Sequence, residues 1–297
     1  AQGTTKDITA NADISSASGH VSVIATGAVG FGAGADIRTA GASIDVQAGG
    51  ALTMSSTSVF ESTGAAAVAQ LVAGGNLTVG EILLTAGAVR LATTGGNILD
   101  ADVADNASND GTADIVAASL SLSASGTLGQ TVNQLETTVG TFSAQAAGGG
   151  IYLLETNDVT VGSVTLTAQR VASTGAAAAQ TAQSQSGLAT TGTGNGNIVL
   201  RTTDGGITLS NALSANGSGN VLLSAATLAV NSGINAGTGN LSLNATGAIS
   251  QSAAGDLTTG GSGTIDIVAG TTLTMADGAT ATVANTALRV QTGGDMT

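Results

Sequence analysis

Apolar and polar residues alternate over short stretches that recur along the whole chain. In the stretch 241–249, every second residue is small or aliphatic, and the residues between them are mostly polar. Alternation with a period of two is typical of a strand with one buried face and one solvent-exposed face. The pattern therefore predicts a protein built from many similar strands.

Twelve copies of this nine-residue unit can be aligned, with 20 to 34 residues between neighbouring starts. The copies start at Val21, Ile44, Ala69, Val89, Leu120, Phe142, Val164, Ile198, Val221, Leu241, Ile265 and Leu288. The fifth position is Ala in nine copies and Thr in three, and the seventh is Gly in eight. Stacked coils require such size-limited columns because equivalent side chains lie above one another, about 4.8 Å apart. A repeat of this length indicates a solenoid.

A weaker element follows many of the units, an acidic residue followed by an aliphatic one. It occurs at Asp13-Ile14, Asp36-Ile37, Glu81-Ile82, Asp102-Val103, Asp158-Val159 and Asp256-Leu257. We interpret it as a second short strand in each coil. The predicted fold is all-β, a parallel β-helix of about 12–13 coils of ~20–25 residues, which would give a rod of roughly 60 Å.

Two spacings are longer than the rest and predict loop insertions at about residues 99–114 and 173–196. The Ala- and Gln-rich stretch 176–183 in the second favours a helical turn or two. Insertions in solenoids often mark a binding face, although loops also accept insertions at little energetic cost. Otherwise residues 1–297 are predicted to form a single continuous β-helix. Its last unit has no polar cap, so we expect a fragment of a longer chain or subunits that stack end to end.

Composition narrows the classes of partner. Only 8% of residues are charged and 1% are aromatic, and the net charge is −13. An acidic chain disfavours nucleic-acid binding, which needs a basic surface. The sequence contains no apolar run of about 18 residues, so no membrane helix is predicted. The chain has no Cys, so neither disulfides nor a thiolate metal site are expected.

Three motifs carry a resemblance to a known family: Gly74-Gly-Asn-Leu-Thr-Val79, Thr94-Gly-Gly-Asn-Ile-Leu99 and Gly239-Asn-Leu-Ser-Leu243. They resemble the repeats of filamentous-haemagglutinin-type exoproteins, which are bacterial surface adhesins. The resemblance covers the chain from about Ile8 to Met296. It implies a right-handed parallel β-helix and, by analogy, a role in adhesion.

Candidate chemistry is sparse. The sole histidine, His20, directly precedes a strand and is expected on the solvent-exposed face, without a nucleophile or acid beside it. The dense acidic group Asp100, Asp102, Asp105, Asp110 and Asp114 could bind calcium, although its stretch 106–114 lacks the closing Glu of a calcium loop, and a solvated acidic turn is favoured. We therefore predict no catalytic, cofactor-binding or metal site, no cofactor and no enzyme activity.

The leading hypothesis is a structural rod or stalk segment of a secreted bacterial cell-surface protein, located outside the cell. One alternative is a subunit that self-assembles into an extracellular filament through open β-helix ends. Another is direct binding of a receptor or glycan by the loop insertions. The expected partners are neighbouring β-helix segments of the same chain, identical subunits placed end to end, and the surface of a host or neighbouring cell. Neither nucleic acid nor the interior of a membrane is expected as a partner.

Overall fold

A computed structural model describes residues 6–102 and 113–297, and within them every regular element is a β-strand. The parallel strands stack as a β-solenoid of about 12 turns, which confirms the predicted fold class. The chain divides into two compact units. Unit 1 comprises Ala1–Val139 and Val164–Gln185, and unit 2 comprises Gly140–Ser163 and Ser186–Thr297. No segment of the described ranges forms a helix with the length and apolarity needed to cross a membrane.

The strands are short, and most have three to six residues. Those in the first half of the chain are β1 (Ile8–Ala10), β2 (Ile14–Ser15), β3 (Val21–Ala25), β4 (Val29–Phe31), β5 (Ile37–Ala40), β6 (Ser43–Ala48), β7 (Leu52–Met54), β8 (Val59–Thr63), β9 (Val68–Ala73), β10 (Leu77–Val79), β11 (Glu81–Thr93), β12 (Ile98–Asp100), β13 (Ile115–Ala124) and β14 (Leu135–Ala146). The others are β15 (Ile151–Glu155), β16 (Val159–Val161), β17 (Ser163–Leu166), β18 (Gln169–Val171), β19 (Ala177–Ala179), β20 (Gln183–Ser186), β21 (Leu188–Thr190), β22 (Ile198–Thr202), β23 (Ile207–Leu209), β24 (Leu213–Ser214), β25 (Val221–Ala225), β26 (Leu228–Val230), β27 (Ile234–Asn235), β28 (Leu241–Ala245), β29 (Ile249–Gln251), β30 (Leu257–Thr259), β31 (Ile265–Ala269), β32 (Leu273–Met275), β33 (Ala281–Val283) and β34 (Leu288–Thr292).

Each complete coil of unit 1 contributes one strand to each of three parallel sheets. Sheet 1 holds the longer strands β3, β6 and β9 and the second parts of β11 and β13. Sheet 2 holds β1, β4, β7, β10 and β12. Sheet 3 holds β2, β5 and β8 and the first parts of β11 and β13.

Unit 2 repeats this three-strand coil. Its sheet 1 is β15, β22, β25, β28, β31 and β34. Its sheet 2 is β16, β23, β26, β29 and β32, and its sheet 3 is β21, β24, β27, β30 and β33. Strand β14 pairs with both β16 and β21.

The prediction of two strands per coil is wrong, because the nine-residue unit is not a single strand. Residues 241–245 form β28, the chain turns at 246–248, and Ile249 begins β29 in a different sheet. Alternation continues across the turn because both strands point their odd-numbered side chains into the same core. The weaker Asp-aliphatic element mostly marks sheet 3, as at Ile14 and Leu257, whereas Val159 begins a strand of sheet 2, and Val103 lies outside the described residues.

The predicted register is confirmed for ten of the twelve copies, whose first residues are direct partners in sheet 1. The partners run from Val21 through Ile44, Ala69 and Val89 to Leu120, and from Ile198 through Val221, Leu241 and Ile265 to Leu288. The sizes of the inward side chains specify this register, since a slip by one residue would turn the aliphatic set toward solvent.

Two copies were placed wrongly. The Phe142 copy belongs to β14, where Phe142 pairs with Val161, and the residue that aligns with Ile198 is Ile151. The Val164 copy has the expected burial pattern, but it lies in β17, which pairs with β20 instead of stacking in the coil. Alternation reports that one face is buried, and it does not identify the neighbouring strand.

The core of each unit consists of the inward side chains of its three sheets. In the coil that begins at Leu241, the inward residues Leu241, Leu243 and Ala245 are almost completely buried. In unit 1 the rings of Phe31 and Phe60 meet edge to face, with centroids 4.7 Å apart. Aliphatic columns fill most of the interior, which explains how the chain builds a core with so few aromatic residues.

The second predicted insertion, 173–196, contains strands and not a helical turn. Residues 177–179 form β19, which pairs antiparallel with β18, and the N–H of Gln180 donates to the carbonyl of Ala168. This pairing overrides the helix propensity of the Ala-rich stretch. The residues after it, 188–190, already form β21 of the coil. Residues 103–112 of the first predicted insertion lie outside the described residues.

Candidate functional site

The polar residue that precedes a strand often binds the neighbouring coil through its side chain. In unit 2, the N–H groups of Asn220, Asn240 and Thr264 each donate to the side-chain oxygen of the Asn one coil earlier, at 2.8, 2.8 and 3.0 Å. The first acceptor of this ladder is Asn197. The ladder satisfies backbone donors at a corner where no sheet can pair them.

Acidic residues play the same part at other corners. Asp36 accepts the N–H of Val59 at 2.8 Å, and Asp256 accepts the N–H of Thr280 at 3.0 Å. Asn97 likewise donates its N–H to Asn76 at 2.9 Å, so the Asn of the Gly-Gly-Asn motifs is a ladder residue. The hydrogen-bonding role of these Asp and Asn side chains was not predicted, although their position directly before a strand is visible in the sequence.

Glycine at one corner is required by close approach between coils. A Cβ on Gly239 would lie 2.1 Å from the carbonyl oxygen of Gly219, and a Cβ on Gly263 would lie 2.1 Å from that of Gly239. No side chain fits at such distances. The Gly-Asn pair of the repeat is therefore explained by stacking: Gly permits the contact and Asn forms the ladder.

The segment Val164–Gln185, here called the strap, lies against sheet 1 of unit 1. Near one end, the N–H groups of Gln169 and Val171 donate to the hydroxyls of Ser43 and Ser22, at 3.0 and 2.9 Å. At the other end, the Gln185 side chain accepts from the Ser121 hydroxyl at 3.0 Å. The Gln185 amide also donates to the carbonyl of Leu122 at 2.8 Å. The strap is thus held at both ends.

A buried ion pair strengthens the first of these attachments. Arg170 of the strap donates through Nε to Asp45 at 2.6 Å, and the Asp45 side chain is 0% exposed. Gln70 also donates to Asp45, at 3.2 Å. A carboxylate at this depth needs such partners, because burying an unpaired charge is costly.

The acidic group predicted near residue 100 is partly assembled. Asp100 ends β12, Asp102 follows it, and Asp114 precedes β13; one carboxylate oxygen from each lies within 4.8 Å of the others. Asp100 and Asp114 are only 9% and 7% exposed. The expectation of a solvated acidic turn is therefore wrong for these two residues. Asp105 and Asp110 lie outside the described residues.

Polar contacts hold this acidic cluster in place. Asp100 accepts the N–H of Asp102 at 2.8 Å, and Asp114 accepts the N–H of Glu136 at 2.9 Å. The pKa of Asp114 is raised to about 10, mainly by burial and then by the charges of Asp100 and Glu136, while the hydrogen bond from the backbone of Glu136 lowers it. At neutral pH the Asp114 carboxyl therefore holds its proton.

Carboxylate oxygens are the ligands that hard divalent cations prefer, and calcium binds them at about 2.3–2.6 Å. Oxygens that lie within 4.8 Å of one another could share one such cation. Asp100, Asp102 and Asp114 are thus the residues that could hold a metal, and the cation would then replace the proton of Asp114. The prediction of no metal site stays a prediction.

His20 is half-buried and has a structural partner. Its Nδ1 accepts the N–H of Ser43, one coil onward, at 2.9 Å. The expectation of a solvated surface histidine is therefore wrong, because its ring accepts a backbone N–H of the next coil of unit 1, as the Asn side chains do in unit 2. The predictions of no catalytic and no cofactor-binding residue stay predictions.

In comparisons with known proteins, no family model matches the chain, and neither a curated protein nor a solved structure matches it.

Proposed function

We propose that this chain is a structural spacer segment of a secreted bacterial surface protein, non-catalytic and located outside the cell. The observation that carries the proposal is the continuous register of ladders within each unit. In sheet 1 of unit 2, five successive pairings join residues at direct partner positions. Backbone and side-chain hydrogen bonds repeat at the same points of these coils. Such stacks resist bending and local opening because each coil is bonded to the next.

The resemblance of the Gly-Asn-aliphatic motifs to repeats of filamentous-haemagglutinin-type exoproteins supports the surface location. The recurrent residues support the spacer role, since stacking accounts for the Gly and Asn of those motifs. The proposed neighbours are further β-helix segments or identical subunits, and neither nucleic acid nor membrane insertion is part of the proposal.

The test measures stiffness and repeat length inside unit 2. The chain contains no Cys, so spin labels can be placed at the exposed positions of Asn157→Cys and Asp295→Cys. Five steps of about 4.8 Å predict a separation of about 24 Å between the labelled sites, with a narrow distribution in pulsed electron resonance. A broad distribution would contradict a stiff spacer.

Two deletions provide the matched comparison. Removal of residues 241–264 takes out one complete coil, because Leu241 and Ile265 are direct partners. This deletion should leave the protein folded and shorten the label distance by about 5 Å. Removal of residues 241–252 takes out about half a coil and should unfold unit 2, since the aliphatic columns no longer align. Equal tolerance of both deletions would refute the proposal that register holds the stack.

Displaying the chain on a bacterial surface tests the function itself. A peptide tag after residue 297 should be held at a narrow range of heights above the cell surface. A flexible Gly/Ser linker of equal residue count has an r.m.s. end-to-end distance of about 95 Å and should spread the tag over a broad range of heights. Equal spreads of tag height for the chain and the linker, measured by fluorescence localisation, would count against a spacer role. Self-assembly into filaments and receptor binding by the insertions stay alternative predictions.

A further inference from the structure

The outward side chains of sheet 1 in unit 1 form an unusual column under the strap. At the second position of successive strands, the register places Ser22, Asp45, Gln70, Arg90 and Ser121 next to one another in that order. The strap is attached near the start of the column, at Ser22 and Asp45, and at its end, at Ser121. Gln70 and Arg90, in the middle, lie between the two attachments.

A polar cavity of about 300 Å³ opens at this middle section. The strands line it with Gln47, Gln70 and Arg90, and the strap lines it with Gln180, Thr181 and Gln183. Its volume lies at the lower end of the range of small-molecule sites, which suits one sugar ring. The side chains of Gln and Thr supply both hydrogen-bond donors and acceptors, as a ligand with several hydroxyls requires.

Arg90 is a cation of this cavity without an ion-pair partner among residues 6–102 and 113–297. Arg38, Arg170 and Arg289 each form an ion pair, whereas Arg90 forms none with any residue in the described ranges. Its register neighbours are Gln70 and Ser121, which are uncharged. Arg90 is half-buried, and this burial lowers the pKa of its guanidinium, although an arginine stays charged at neutral pH.

Asp45, the nearby carboxylate, is paired with Arg170 and not with Arg90 in the described residues. Asp45 is already bound by two nitrogens of Arg170, at 2.6 and 3.4 Å, and by Gln70. Arg90, Arg170 and Asp45 together leave one positive charge at the cavity, in a chain whose net charge is −13. A partly desolvated guanidinium without a partner favours an anion, and its planar fork matches a carboxylate.

We propose that this cavity binds a monosaccharide-sized acidic sugar, a hexuronate, with its carboxylate on Arg90 and its hydroxyls on the amide side chains of the strands and the strap. This binding role is additional to the spacer role. The strap forms the outer wall of the cavity, and the outward side chains of sheet 1 form the opposite wall. Stiffness of unit 2 does not depend on it, so either proposal can fail alone.

Saturation-transfer NMR and a chemical-shift titration with galacturonate and glucuronate test the site in the intact chain. We expect saturable binding, weakened at least tenfold by Arg90→Gln and also by Gln180→Ala, which changes only the strap wall. Arg201→Gln is the matched control, because Arg201 is a half-buried arginine of unit 2 without an ion pair in the described residues, and its removal should leave binding unchanged.

Two further ligands show whether binding depends on the carboxylate and on the sugar ring of the hexuronate. Neutral hexoses should bind at least tenfold more weakly than hexuronates, and inorganic phosphate should not compete at equal concentration. The proposal would be overturned if neither hexuronate bound, or if neutral hexoses bound as tightly as hexuronates. It would also be overturned if phosphate competed at equal concentration, or if both Arg90→Gln and Gln180→Ala bound as tightly as the unaltered chain. Circular dichroism melting of every variant shows whether a loss of binding is a loss of fold. If Arg90→Gln does not fold, the binding measured for Gln180→Ala decides the test.

Discussion

At the scale of single residues, the inward fifth position of each sheet 1 strand limits side-chain size. Ala245 is 2% exposed and lies between Ala225 and Ala269 of the adjacent coils, whereas its neighbour Asn244 is exposed. The three extra carbons of a Leu side chain would find no free space at position 245, because the backbone ladder fixes the distance to the adjacent coils. The outward neighbour meets solvent and has no such limit.

We therefore expect Ala245→Leu to lower the free energy of unfolding by ~1–3 kcal/mol through overpacking. Asn244→Leu, which adds a similar side chain one residue away, should change it by less than about 0.5 kcal/mol. Urea unfolding monitored by circular dichroism measures both. Equal losses in the two variants would mean that the register of β28 is wrong.

The corner ladder makes a second prediction for single residues. Asn220 accepts the N–H of Asn240 at 2.8 Å, so Asn220→Ala removes a partner that no sheet replaces. The expected loss of stability is about 1 kcal/mol. Amide hydrogen exchange at residue 240 should accelerate in this variant, and Asn244→Ala, on the exposed face of the next strand, should leave the exchange rate unchanged. If the amide of residue 240 exchanged at an unaltered rate in Asn220→Ala, the proposed role of the Asn ladder would be contradicted.

At the scale of elements, the strap depends on the buried pair of Arg170 and Asp45. Arg170→Met keeps most of the side-chain volume and leaves a fully buried carboxylate without its cation. We expect a loss of about 3 kcal/mol, because the desolvation cost of Asp45 is no longer offset. Limited proteolysis should then cut within the strap, and the double variant Arg170→Met, Asp45→Leu should recover part of the stability.

Arg289→Met is the comparison for this pair. Arg289 binds Asp266 at similar distances, but its side chain is mostly exposed. Exposed ion pairs contribute little in water, so no measurable change in stability is expected. A loss as large as that of Arg170→Met would show that burial is not what makes the strap pair important.

The elements also show how much could be predicted from the sequence. Alternation and size-limited columns predicted the parallel solenoid and the partners of sheet 1, because inward stacking is local and repeats in every coil. The same alternation in Val164–Ala168 was assigned to the wrong strands, since it reports burial and not the partner. The strap's attachment to Ser22, Ser43 and Asp45 joins residues more than a hundred positions apart, and no repeat signals such a contact.

The acidic cluster was predicted in position but not in environment. Asp100 and Asp114 were visible as a dense acidic group, yet their burial depends on how the coil closes around the inserted residues. Arg90 is likewise ordinary in the sequence, and only the register shows that its neighbours in sheet 1 are the uncharged residues Gln70 and Ser121. The acidic cluster lies beside an insertion and Arg90 lies beneath the strap, so both environments depend on residues that the repeat pattern does not describe.

At the scale of the whole molecule, stability should depend on pH through Asp114. Its pKa is about 10 in the folded protein, far above the ~3.9 of an unfolded aspartate. Between these values the folded state holds a proton that the unfolded state has lost. The stabilisation is thus fully present below about pH 4 and declines as pH rises toward 10, by up to about 1.4 kcal/mol per pH unit in a buffer with chelator.

Urea unfolding at pH 5, 7 and 9 measures this slope, and Asp114→Asn should flatten it because the amide keeps its hydrogens at every pH. Asp277→Asn removes an exposed carboxyl of unit 2 and should leave the slope as it is. A bound cation would take the place of the proton, so calcium should restore stability at pH 9 in the unaltered chain more than in Asp114→Asn. Parallel pH profiles for the unaltered chain and Asp114→Asn would show that Asp114 is ionised in the folded state, and the buried cluster would then need another source of charge compensation.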